Sequence, residues 1–126
     1  MSQQQSFGGG GSTPTPPLNT ATTMGATTSD LITVALGTTP GTFQFEARVK
    51  AFEATGPSGA GYNIYATYTT DGSIATLVGN QDVFNEDAPL AAANAYFTTD
   101  GSNNAILQVL GVALLTIEWS GETEVT

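Results

Sequence analysis

Four oxygen-bearing side chains, Asp82, Asn85, Glu86 and Asp87, fall within six residues. A hard cation such as Ca²⁺ takes several oxygen ligands, often from one compact loop. This run is therefore the candidate metal site of the chain. Its spacing is not that of an EF-hand, and the expected reading is a solvated acidic turn that binds no metal, with these four as weak candidates. Hydrolysis of a glycosidic bond needs two carboxylates facing each other across the bond. Asp82, Glu86, Glu46 and Glu118 are available, but nothing in their spacing pairs any two of them. The chain contains no histidine and no cysteine. A serine or threonine nucleophile would lack its usual base, with Lys50, the single lysine, as the only substitute. Thiolate and imidazole metal ligands and disulfides are excluded by composition. These residues predict a protein that is not an enzyme and needs no cofactor.

Two other sets of side chains could make contacts. Arg48 and Lys50, the only cations, sit two residues apart beside Glu46. On a strand they share a face, where they would serve either cross-strand ion pairs or acidic residues of a neighbouring subunit. Tyr65 falls on the face of its strand that also carries Asn63 and Thr67. An exposed tyrosine among amides and hydroxyls suits a glycan or a partner protein. With 11 acidic residues against two basic ones, the net charge is −9. Neutralising phosphates takes clustered lysine and arginine, so binding to nucleic acid or to an anionic membrane surface is not expected.

The elements that must position these residues divide the chain in two. Residues 1–28 are poor core material: Gly8, Gly9, Gly10 and Gly11 predict a flexible joint, and Pro14, Pro16 and Pro17 favour extended backbone. The segment reads either as a disordered tail or as an anchoring arm, with Phe7, its one aromatic residue, as the plug for a partner's pocket. Its first residues lack the basic and apolar regions of a secretory signal.

From residue 29 to residue 126 the pattern has a period of two. Phe43, Phe45, Ala47, Val49 and Ala51 alternate with Gln44, Glu46, Arg48 and Lys50, which predicts a half-buried antiparallel strand. Strands are also expected at 31–36, 62–70, 74–78, 94–98, 105–109 and 114–119, with a short run at Val83 and Phe84. Loops are expected at 53–61, at the hairpin signal Asp71-Gly72, at Gly79-Asn80 and at 85–89. Seven or eight short strands separated by regular turns predict an all-β fold: an antiparallel two-sheet β-sandwich, jelly-roll-like, with an extended N-terminal arm.

The strand series resembles a module of bacteriophage tail fibres and other virion appendages. The resemblance lies in the FEARV strand (Phe45 to Val49), the Gly/Ser loop from Gly56 to Gly61, and Tyr62 to Ile64. It continues through Val78-Gly79, Glu86-Asp87 and the closing strand from Ile117 to Val125. It covers about residues 30–126. It implies a virion structural protein without enzymatic activity, assembled in the host cytoplasm and often a homotrimer. Its partners would be other virion proteins, held through the N-terminal arm. A fibre-like or tail position is the first expectation, with capsid decoration as the alternative. A carbohydrate-binding module that contacts a host surface glycan is the reading from a different class.

Overall fold

The computed structural model describes residues 19–126, and the proposed anchor, Phe7 with Gly8 to Gly11, lies outside them. Eight strands form: β1 (Asn19–Met24), β2 (Thr28–Ala35), β3 (Gly41–Glu53), β4 (Ser58–Thr70), β5 (Ala75–Glu86), β6 (Asn94–Thr98), β7 (Asn104–Leu110) and β8 (Thr116–Val125). They make two antiparallel sheets, one of five strands in the order β1-β8-β3-β4-β5 and one of three in the order β2-β7-β6. The expected two-sheet sandwich is what the chain builds, with unequal sheets.

The period-two strands face each other across the core. Phe45, Ala47, Val49 and Ala51 of β3 are buried beside Tyr62, Ile64, Ala66 and Tyr68 of β4 and Ile117 and Trp119 of β8. The smaller sheet closes over them with Leu31, Leu107, Val109, Ala95 and Phe97. Phe45 meets Tyr68 edge-on at 5.3 Å, which sets a ring edge against a ring face, and packs tilted against Phe97 at 5.5 Å. Two buried polar groups find partners: the Tyr68 hydroxyl donates to the Thr98 carbonyl at 2.6 Å, and Trp119 Nε1 donates to Thr23 Oγ1 at 2.9 Å. Burial pushes the Tyr68 phenol up to about 12, so it stays a neutral donor.

The second of these bonds alters the expected division of the chain. Residues 19–28 were expected in the arm, yet Asn19–Met24 is a strand paired with β8, and Thr23 is buried. Alternation alone did not mark this Thr-rich segment as a strand, because only Thr23 of its side chains is fully enclosed. Gly111 packs so close to Thr23 and Gly25 that a Cβ would collide with both.

Three loops also differ from expectation. The loop expected over 53–61 shrinks to a turn over 54–57, because β4 begins at Ser58 and pairs with β3 to the end. The run at Gly79-Asn80 is no turn: β5 continues through it, and a bulge at Val78 absorbs the extra residue between Leu77 and Gly79. The loop expected over 85–89 is shortened as well: β5 runs to Glu86, and a 3₁₀ turn follows at Ala88–Leu90. The Asp71-Gly72 hairpin forms as expected, with Gly72 at φ +97°. Asn103 joins its neighbourhood to two other loops, bonding the Thr70 hydroxyl and the Gly37 carbonyl.

Carboxylates organise the turns. Asp71 accepts the N–H groups of Ser73 and Ile74, Asp100 that of Ser102, and Glu53 those of Thr55 and Gly56. Hydrogen bonds to the charged form hold all three below their ordinary values of 3.8 for Asp and 4.5 for Glu. The largest cause is the Ile74 N–H for Asp71, the Ser102 N–H for Asp100 and the Thr55 hydroxyl for Glu53.

Two predictions follow from these bonds. Thr23→Val keeps the shape but strands the Trp119 N–H, so urea unfolding should show a loss of about 1–3 kcal/mol; an unchanged midpoint would detach β1 from the fold. The three lowered carboxylates favour the folded state above their unfolded values, and that contribution disappears as pH falls through their folded values. The Asp71→Asn, Asp100→Asn double variant should therefore be less stable than the wild type at neutral pH. The two should converge in urea midpoints as pH falls from about 5 through the ordinary Asp value of 3.8 and on below it.

Candidate functional site

Among the described residues nothing covers the outer face of the five-stranded sheet, which carries most of the side chains that sequence singles out. Its residues form rows across the strands, set by the register. Glu122 of β8, Arg48 of β3, Asn63 of β4 and Val83 of β5 make one row. Glu124, Glu46, Tyr65 and Gln81 make the next. Beyond it lie Gln44, Thr67 and Gly79. Residues directly opposite on neighbouring strands point to the same side, which is how distant segments come to share a surface.

Arg48 is satisfied within its own chain. Its Nε donates to Glu122 at 3.2 Å and its Nη1 to Glu46 at 3.3 Å. The pair with Glu122 crosses from β3 to β8, and the pair with Glu46 joins two residues of β3. Lys50 points to the same face, between Gly61 and Ser120, and makes no ion pair among the described residues. Arg48 and its partners are 31–40% exposed, so solvent screens both pairs.

Tyr65 stands 44% exposed, with Glu46 on one side and Gln81 on the other. It borders a groove of roughly 530 Å³ that Gln44, Thr67 and the bulged segment Val78 to Gln81 also line. On the far side of the Arg48–Lys50 ridge a second groove holds Phe52, Thr20, Thr22 and Glu118. The groove at Tyr65 was only partly visible in sequence: Tyr65 has a signal in its alternation, whereas Gln44, Gln81 and Glu124 join it through pairings that no local pattern encodes.

The acidic candidates do not form a compact loop. Asp82, Asn85 and Glu86 lie on extended strand β5, and Asp87 follows it. Asp82 and Glu86 sit on the inner side, opposite Ile64 and Ala60, while Asn85 points outward, opposite Gly61. Two of the four side chains are already bonded. Glu86 accepts the Tyr62 hydroxyl at 2.6 Å, and Asp87 accepts the Gly59 N–H at 2.8 Å. Burial first, and the Glu86 carboxylate second, push the Tyr62 phenol well above its ordinary range. No group of three or more His, Cys, Asp or Glu among the described residues could hold a metal ion. Of the carboxylates weighed as a hydrolytic pair, Asp82 and Glu86 are four positions apart along one strand, about 13 Å. Glu118 is opposite Phe52, six positions along β3 from Glu46, a separation of about 20 Å.

Sequence reasoning missed a second surface at the sheet edge. β5 is an edge strand, and it overhangs the narrower sheet, so Asn80, Asp82 and Phe84 are exposed although they face inward. Phe84 is 50% exposed and stacks on Tyr62; on the bulge and the outer face, Val78 and Val83 are 63% and 65% exposed. The alternation that buries a strand's inner face elsewhere fails here because no opposing strand covers it.

No protein-family model matches the chain, and no curated protein does. Two solved structures show a slight likeness. One is the tailspike protein of Acinetobacter phage vB_ApiP_P1, 12% identical over 98% of this chain and 25% of that one, with a TM-score of 0.49. The other is the tailspike protein of Acinetobacter baumannii phage AM24, 8% identical over 86% of this chain and 26% of that one, with a TM-score of 0.38. The chain spans about a quarter of each tailspike. At these values neither likeness carries a functional argument.

The exposure of Arg48 sets the size of its contribution. Arg48→Ala should cost no more than about 1 kcal/mol, with the difference shrinking as salt is raised, measured by urea unfolding at low and high ionic strength. A loss several times larger would mean that these charges meet a partner.

Proposed function

We propose that this chain is a non-enzymatic structural subunit of a bacteriophage virion, placed in a fibre-like or tail appendage. The observation that carries the reading is the β5 edge. Among the described residues β5 has one edge unpaired, and from Val78 onward its inner side is uncovered, with Val78, Val83 and Phe84 exposed, which is surface of the kind that assembly covers. A single small sandwich has a modest stability margin, and subunit packing supplements it. The sequence resemblance to virion appendage modules supports the same reading. Residues 1–28 begin with a Gly- and Pro-rich stretch suited to reach a neighbouring virion protein. The proposed state is a homotrimer located in the virion. Neither nucleic acid nor membrane is a partner, since the cations number only two and Arg48 is already paired.

Particle localisation tests this directly. Antibody labelling of purified particles in the electron microscope should mark the tail or its fibres. Label spread over the capsid lattice would place the protein as a decoration subunit instead, and its absence from particles would overturn the reading. Phe7→Ala should lower incorporation several-fold; wild-type incorporation would remove the anchor.

A further inference from the structure

We propose that the groove beside Tyr65 binds a neutral pyranose unit of a glycan. Its floor is the outer face of β3 and β4, and both strands are hydrogen-bonded along both edges. The floor therefore has no free backbone, and a peptide could add as a strand only along the outer edge of β5, beside the groove and not in it. What the groove offers is side chains: one exposed aromatic ring, the amides of Gln44 and Gln81, and the hydroxyl of Thr67. A pyranose presents one face of C–H groups and an equator of hydroxyls. The ring face of Tyr65 meets the former, and planar amides can donate and accept with the latter.

The bulge shapes the site. It interrupts the even pleat at Val78 and brings Gly79, which has no side chain, opposite Thr67. That leaves a recess where a continuous strand would present a further side chain. Charge selects the ligand class. Glu46 and Glu124 border the groove, and the guanidinium nearest it is engaged by Glu46 and Glu122. An anionic sugar would therefore meet repulsion that a neutral one avoids.

This inference goes beyond the appendage reading and concerns the folded sandwich alone, so the two can fail separately. Maltotriose, lactose and chitobiose are titrated into the ¹⁵N-labelled full chain while its amide spectrum is followed. At least one of the three should shift the amides of Tyr65, Thr67, Gly79 and Gln81. Tyr65→Ala should weaken that binding by about tenfold or more, while Tyr65→Phe keeps the ring and should retain it. Phe52→Ala removes the exposed aromatic of the other groove and should leave it unchanged. Tyr65 is on the surface, and the spectrum of the free variant reports its fold; Gln81→Ala provides an independent loss of contact. The proposal is overturned if none of the three sugars shifts these amides, or if binding survives Tyr65→Ala.

Discussion

The inner face of a five-stranded sheet has to be covered, and this chain covers it with three strands. That mismatch in width governs the rest of the structure. The small sheet lies over the middle of the large one, where Val49, Ile64, Ile117 and Trp119 leave almost no exposed surface. At one margin β1 supplies Thr23 as the partner that the Trp119 N–H must have away from water. At the other margin Ala75 and Leu77 of β5 still pack on the core, but among the described residues nothing covers the inner side of the strand beyond them, and Asn80, Asp82 and Phe84 meet solvent. The β1 margin is thus tied to the core by a specific hydrogen bond, and the far part of the β5 margin is left open.

The open edge is managed by the residues on it. Asp82 points inward from an edge strand, and the bulge at Val78 breaks the flat run of backbone that would otherwise template pairing. Both devices discourage indiscriminate edge-to-edge association. Phe84 extends the aromatic series from Trp119 through Tyr62 out to that edge, with centroids 6.0 Å apart at each step. The hydroxyl of Tyr62 anchors the series to Glu86. A partner that covers Phe84 would therefore bury the exposed end of a stack rooted in the core.

The outer face follows a different logic. Arg48 is neutralised locally in the Glu46–Arg48–Glu122 ladder, in a molecule of net charge −9, while Lys50 on the same strand makes no ion pair among the described residues. Tyr65 and its amide neighbours stand beside that ladder, and the same pairings that build the sheet assemble the groove.

Period-two alternation in β3, β4 and β8 was legible in the sequence, because strands half buried against one core must alternate. The Asp71-Gly72 hairpin was equally legible, since its left-handed glycine and carboxylate cap are local chemistry. So were the absence of histidine and cysteine and the surplus of acidic residues. Three features depended on the tertiary structure. β1 is a strand only because β8 offers it an edge and Trp119 needs its threonine. β5 runs through Gly79-Asn80 because β4 is long enough to pair with it. The grouping of Tyr65 with Gln44, Gln81 and Glu46 exists only once register is set. Such pairings join residues far apart in the chain, and their energy comes from contacts that no local window contains.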